Sequence, residues 1–392
     1  MGAGIQGCSI EMELASTGCE VDLFDQASEP MQKASRWNEG KLHLGYVYGR
    51  DPSLLTARKM IEGSLDFHDF FARHFESTDP LSTPSKPFYY AVPKESVLSA
   101  AELERYFRQV DELLREALGE GRNYVGRRDL QRTARTDLSQ HYEASRFQAA
   151  IETPEVSVDT HALAARITDF VDRHDHITFH PGVRVTRGER ARRFRFEGAG
   201  GQWFGPYDRL VNATWESRLT LDATLGIEPP RRWLHRFKMA LHLTGANTTR
   251  VPSTTMVLGA FGDLVNFGNG DYYLSWYRDG KLGESRRAQP PRWEEELTPA
   301  LRQKMVSRIR RALVARVPGM REIDFSQGEI LLRGGYIFAW GDADIDQWNS
   351  QLHQRFDVGV SAWNGYYSVD TGKYCLATLH ARECARLVRA GA

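Results

Sequence analysis

Gly2, Gly4 and Gly7 give the opening run "GAGIQG" the spacing G-x-G-x-x-G, and Asp25 follows eighteen positions after the last of them. Residues of these types at this spacing could hold a dinucleotide. The first glycine permits a tight turn, the second lets backbone approach a pyrophosphate, and the third lets a helix pack closely on a strand. Unpaired N–H groups at the helix start, with the helix dipole, favour the phosphate charge. A carboxylate about 20 residues further on can grip a ribose hydroxyl. The intervening elements agree. Ile5, Cys8, Met12 and Ala15 recur at helical steps on one apolar face, Gly18 supplies a stop, and "CEVDLFDQ" reads as a strand reaching Asp25 and Gln26. No strand precedes the turn, although a doubly wound sheet needs one at its buried centre. The sequence is therefore expected to begin several residues late; the alternative is a sheet with a gap in its middle.

A second set of residues lies in "ASRWNEGKLHLGYVYGRDPSLLTARKM". His43 is the group here whose ordinary pKa suits proton exchange near neutrality. Gly40 and Gly45 would let the backbone approach a flat ring. This stretch resembles the D-amino-acid-oxidase-like flavoproteins, most closely the N-x-G-x-x-H-x-G-x-x-Y pattern of their L-2-hydroxyglutarate dehydrogenase branch. Asn38, Gly40, His43, Gly45 and Tyr48 fall on the pattern, whereas Glu39 and Lys41 depart from it. "PSLLTAR" is similar to that branch's Pro-Gly-Ser-Leu-Lys-Ala run, and the likeness is good over about fifty N-terminal residues. The resemblance implies FAD, with the segment from Ser35 through Leu42 to Gly45 alongside it and His43 near the isoalloxazine. His43 would handle the substrate proton, or else serve as a hydrogen-bonded structural histidine. Lys41 would pair with the flavin or activate oxygen, or else be a solvated loop lysine.

Further along, residues 53–75 read as a helix, "FYYAVP" as a strand, and "SAAELERYFRQVDELLREALG" as an amphipathic helix. "SVDTHALAARITDFVDRH" is a helix capped by Asp159 or Thr160. The strands after it resemble the family's return to its nucleotide domain, which implies that Val185 meets the adenine. "RLVNATW" resembles the family strand ending in Asn-Ala-Ala-Gly near the pyrophosphate, bringing Ala213 and Trp215 to the cofactor. From about residue 230 consecutive strands with Gly/Asn turns suggest an antiparallel sheet, with alternation expected along "DYYLSWYRDG". Arg278 and Arg333 are candidates for a bidentate clamp on a substrate carboxylate. Thr298 and Pro299 open a further helix. The final unit, "VGVSAWNGYYSVDTGKYCLATLHARECARLV", is similar to the family's closing strand, turn and helix. That likeness places Asn364, Gly365, Thr371, Gly372 and Lys373 at the flavin pyrimidine, where a helix N-terminus would stabilise an anion; read alone, it is an ordinary terminal helix.

The chain has 392 residues, which suggests two joined domains, and an apolar content of 41% supplies their cores. The expected architecture is α/β: a Rossmann-like FAD-binding domain lacking its first strand, with an antiparallel-sheet α+β substrate domain. The FAD domain takes residues 1–85, 155–228 and 331–392, and the substrate domain 86–154 and 229–330. Lysine plus arginine equal aspartate plus glutamate at 51 each, so charge gives no reason to expect nucleic acid. Basic clusters such as "RIRRAL" read as solvated faces. The four cysteines show no zinc spacing. No run approaches the ~18–20 apolar residues of a spanning helix, and the protein is expected to be cytoplasmic. The expected activity is FAD-dependent oxidation of a CH–OH or CH–NH carbon in a small metabolite, hydroxy acids slightly favoured, with the electron acceptor open. An amine or amino-acid oxidase, or a flavin-binding protein without turnover, are the alternatives. An NAD-dependent dehydrogenase would explain the glycine turn but not Ser35–Tyr48.

Overall fold

The computed structural model describes residues 1–76, 81, 84–119, 121–344, 347 and 350–391. Helix α1 (Ile5–Ala15) rises directly from the glycine turn with Gly4 as N-cap. Every residue in it except Glu13 is buried, including Gln6, Ser9 and Glu11, rather than a single apolar face. The cause is its position: the closing helix α8 (Ala377–Ala390), strand β1 (Val21–Phe24) and helix α4 (Thr160–Arg173) all pack around it. Asp159 caps α4 by accepting from the backbone N–H groups of His161 and Ala162.

Glu11 carries a consequence. Both carboxyl oxygens are buried without a hydrogen-bond partner, and burial raises its pKa well above 4.5, the Met1 ammonium opposing only in part. The folded state thus binds this proton more tightly than the unfolded chain does. Stability from this group is full below about pH 4.5 and declines as pH rises toward the folded value. Glu11→Met should therefore raise the melting temperature at pH 8 by about 1 °C, the shift expected for about 1 kcal/mol in a chain of this length. A calorimetric pH series showing no gain at pH 8 over pH 5 would contradict this.

The nucleotide-side sheet comes in two pieces. Strand β1 pairs in parallel with β7 (Ile177–His180); β11 (Leu210–Asn212) pairs in parallel with β19 (Tyr366–Asp370), which pairs antiparallel with β18 (Gly359–Trp363). Between the pieces Gly2 N donates to Phe24 O at 2.8 Å, and the Met1 amino group donates to Val211 O at 2.9 Å. Ala213 N donates back to Met1 O at 2.9 Å. Met1 lies between the two pieces, at the place expected for a central strand. An antiparallel meander, β8 (Val185–Arg190), β9 (Phe194–Gly198) and β10 (Trp203–Tyr207), packs Phe194 and Phe196 against Met1, Phe24 and Leu210, with helix α5 (Arg218–Thr224) on β8.

The second sheet has nine strands. Its order is β16 (Lys281–Ser285), β12 (Trp233–Thr244), β15 (Tyr272–Leu274), β14 (Asp263–Asn266), β13 (Thr254–Met256), β3 (Tyr89–Pro93), β5 (Phe147–Glu152) and β4 (Ala134–Thr136). Strand β17 (Glu329–Trp340) lies along the other edge of β12, and only β13–β3 is parallel. Residues 331–340 therefore sit in this sheet, not beside β18 and β19. Helix α7 (Pro299–Val314), capped by Thr298, packs Met305, Ile309 and Leu313 on Tyr272 and Leu274 of one face. Tyr273 points into the core on the other face. The alternation expected through Arg278 stops at Leu274, because residues 277–280 turn into the short helix α6 (Tyr277–Gly280).

Helix α2 (Leu55–His74) and helix α3 (Ala100–Gly119) fall where expected. The two-residue strands β2 (Lys41–Leu42) and β6 (Val156–Ser157) tie the His43 loop to the chain before α4. Cys8, Cys375 and Cys384 are buried free thiols, and Cys19 is partly exposed. No helix among the described residues is long and apolar enough to cross a membrane.

Candidate active site

One cleft, of about 1390 Å³ counting its open mouth, collects most of the candidate residues. Gly2, Gly4, Asp25, Gln26, Val185, Ala213 and Trp215 line one part of it. Ser35 and Asn38 follow, and Lys41, His43, Thr371, Gly372 and Lys373 line the rest.

The glycine turn is dictated by contact. A Cβ on Gly7 would lie 1.8 Å from Gly2 O, and one on Gly2 (φ +89°) would lie 2.5 Å from Ala213 O. A Cβ on Gly4 would meet only the Ser35 hydroxyl, at 2.9 Å, so this glycine keeps the cleft side of the turn open. Ser35 Oγ accepts from Ile5 N at 2.9 Å and thereby caps α1 from outside. Asp25 accepts from Ala3 N at 2.7 Å and from Ala27 N at 2.8 Å, one bond to each oxygen. Each oxygen keeps a lone pair for a ribose hydroxyl. Asp25→Asn is expected to weaken FAD binding about 10- to 100-fold, the range for losing a charge-assisted hydrogen bond. Fluorescence titration of the apoprotein with FAD measures it.

The loop before His43 is folded by Asn38, whose amide donates to Ala34 O and Ser35 O and accepts from Gly40 N at 2.8 Å. Gly40 and Gly45 both face neighbouring parts of the chain. A Cβ at Gly40 would lie 2.1 Å from Val158 O, and one at Gly45 2.7 Å from Ala57, so both are required by protein packed on protein. Leu42 is fully buried outside the lining, its carbonyl accepting from Tyr124.

His43 is 3% exposed and anchored by Ser64, whose hydroxyl donates to its carbonyl at 2.7 Å. Burial first, then Lys373, Lys41 and Arg355, push its pKa well below 6.5. The imidazole is therefore neutral at physiological pH and not poised at its ordinary value. Lys41 is neither solvated nor free: its ammonium donates to Thr255 Oγ1 and to Asp263 Oδ1 and sits 4.1 Å above the Phe88 ring. Burial opposes ionisation of Asp263, yet Lys41 and Lys238 hold it down to about 2. Burial brings Lys373 down to about 8, with Glu39 opposing and Arg355 adding to the fall.

Sequence reasoning missed Arg355, Glu39, Glu155 and Glu216. Arg355 lines the cleft, is 7% exposed, and donates to the carbonyls of Leu352, Phe338 and Gly372. Glu216, beside Asp25 and Lys33, is raised to about 7 by burial. A lone arginine or glutamate gives no local signal of this kind; only Glu39, as a departure from the family pattern, was marked. Seven candidates fall outside the lining: Gly7, Gly40 and Leu42, described above, and four more. Arg278 is exposed on α6, and Arg333 is exposed on β17 with its guanidinium 5.4 Å over Trp37. Asn364 (φ 48°) and Gly365 (φ 92°) form the tight turn of the β18–β19 hairpin, where positive φ selects that pair.

The residues fit FAD: an open glycine turn at a helix start, a ribose-ready carboxylate, and the cations Arg355 and Lys373 for an anion on the ring. Fold and cleft together fit an α/β protein that binds a dinucleotide cofactor. The family model described as FAD dependent oxidoreductase (DAO) matches residues 1–353, and the chain belongs to this family of FAD-dependent enzymes. No curated protein matches it by sequence. Among solved structures it is similar to glycine oxidase from Geobacillus kaustophilus (13% identity, TM-score 0.68, covering 100% of this chain and 94% of that one). Iminodiacetate oxidase (IdaA) from Chelativorans sp. BNC1 matches at 16% identity and TM-score 0.64, covering 100% and 95%. L-alpha-glycerophosphate oxidase from Mycoplasma pneumoniae, solved with FAD bound, matches at 13% and 0.64, covering 99% and 93%.

Proposed function

We propose that the enzyme oxidises a C–H beside a hydroxyl or an amine in a small, carboxylate-bearing metabolite. FAD, when bound, supplies the two-electron acceptor; Gly2–Gly4 and Asp25 would hold its diphosphate and ribose, and Thr371–Lys373 with Arg355 its ring. The reading is carried by one observation: a buried, neutral imidazole in the cleft, ringed by Lys41, Arg355 and Lys373. A neutral imidazole can accept the proton that a hydroxyl loses as its carbon is oxidised. The N-x-G-x-x-H-x-G-x-x-Y likeness to the L-2-hydroxyglutarate dehydrogenase branch supports a hydroxy acid, with residues 86–154 and 229–330 as substrate domain. Lys41, bridged to Asp263, would close the wall above His43. Arg278 and Arg333, both exposed, would act on substrate only at an outer entrance.

The Glu39 carboxylate favours a second reading, an amine. It lines the cleft, and its nearest ring nitrogen belongs to neutral His43, so an entering ammonium would be its natural partner. Anaerobic bleaching of the flavin bands by hydroxy acids against amino acids separates the two. A folded preparation that is colourless and takes up no FAD ends both.

A further inference from the structure

His43 lies between two carboxylates. Glu39 Oε1 is 3.9 Å from Nε2 and Glu155 Oε1 is 3.9 Å from Nδ1, which has no hydrogen-bond partner. The two acids differ in setting. The Glu155 side chain is fully buried and fixed, accepting from Leu44 N at 2.6 Å and from the Tyr90 hydroxyl at 2.5 Å. Glu39 lines the cleft, with 24% of its side chain exposed.

We propose that these acids act on His43 from its two sides: Glu155 as a positioning residue that selects the Nδ1–H tautomer, Glu39 as the outlet for the proton taken up at Nε2. This rests on the reading of His43 as proton acceptor. A buried imidazole that gains a proton cannot pass it to water directly, so a neighbour must. The surroundings leave few choices. Its own loop offers Lys41 and Glu39, the chain before β6 offers Glu155, and the closing part offers Arg355, Lys373 and the Cys375 thiol. Tyr48 and Tyr90 complete the shell as phenols raised by burial. Among these, the carboxylates are the groups that can stabilise an imidazolium, and Glu39 is the one that reaches solvent.

In the resting site burial, Lys373, Lys41 and Arg355 hold the ring neutral. During turnover the substrate O–H or N–H bond breaks as the Nε2–H bond forms. The freed electron pair stays on the heteroatom and becomes its second bond to carbon as that carbon gives up its hydride, for which FAD, when bound, would be the two-electron acceptor. The Nε2–H bond then breaks as an O–H bond forms on Glu39, which releases its proton to water.

The tautomer is read by ¹⁵N-imidazole NMR of the holoenzyme without substrate, His43 being assigned by difference from His43→Asn. The expected result is protonated Nδ1 in the wild type and loss of that single tautomer in Glu155→Gln. Protonated Nε2 in the wild type would overturn the role of Glu155. In multiple-turnover assays with an artificial dye as electron acceptor, Glu39→Gln is expected to lower the rate about 10²-fold and to shift its pH profile to lower pH, with Glu39→Asp recovering most of the rate. A wild-type rate and unchanged profile in Glu39→Gln overturn the outlet while leaving the oxidoreductase reading intact. If no small hydroxy acid or amine bleaches the flavin, that reading and the outlet fall together, and the tautomer still decides Glu155.

Discussion

His43→Asn is expected to lower the limiting rate of substrate-driven flavin bleaching by about 10²- to 10⁴-fold, the range for a positioned proton-transfer group, while FAD remains bound. Bound FAD is expected to survive because the side chain contributes no contact that folds the loop; the loop is held by Ser64 on the His43 carbonyl, by Glu155 on Leu44 N and by Asn38 on Gly40 N. Asparagine keeps a polar group of modest size but cannot take up a proton. The pH profile adds an independent check. Because His43 is already neutral below its ordinary value, the wild-type rate should be flat from about pH 6 to about pH 7. It should fall above about 8, where Lys373 loses its proton and the ring end of the cleft loses a cation. A profile rising through pH 6.5 in the wild type would mean that His43 titrates as a solvated histidine.

Gly7→Ala is expected to abolish FAD binding and depress the melting temperature. The added carbon would stand 1.8 Å from Gly2 O, against rigid backbone, so the turn must deform. Overpacking of this kind costs about 1–3 kcal/mol in an ordinary core. Here the displaced atoms belong to the turn proposed to hold the diphosphate, so the loss of affinity should exceed the loss of stability. Gly119→Ala is the control: at the end of α3 a Cβ meets nothing within 4 Å, and the change should stabilise slightly without touching FAD affinity. Calorimetry and FAD titration of both variants test this pair, and an unchanged affinity in Gly7→Ala would refute the account of the turn.

Local motifs were legible in the sequence and long-range company was not. The glycine turn, Asp25 and His43 are marked by residue type and spacing over a few residues, while Thr371–Lys373 were marked only by the family likeness of the closing unit. Glu155 reaches the His43 loop across 111 residues of sequence, and Arg355 enters the cleft from the chain just before β18. Nothing adjacent to either residue marks it. Gly40 and Gly45 were legible as constrained positions, but the protein neighbours that crowd them, Val158 and Ala57, were hidden. The alternation through Arg278 misled because a strand pattern continues in composition past Leu274, where the backbone has already turned into α6. The all-round burial of α1 was invisible for the same reason: it depends on α8, which arrives from the opposite end of the chain.

The placement of the thiols gives the molecule an internal reporter. Cys19 is the accessible one; burial raises Cys375 to about 11 and Cys384 to about 12 and lifts Cys8 well above 9. A chromogenic disulfide reagent should therefore consume one equivalent from native protein and four after denaturation. Because Cys8 sits in the helix that leaves the glycine turn and Cys375 beside Lys373, delayed consumption of the last three equivalents would clock the opening of the cofactor cleft, and added FAD should slow that clock.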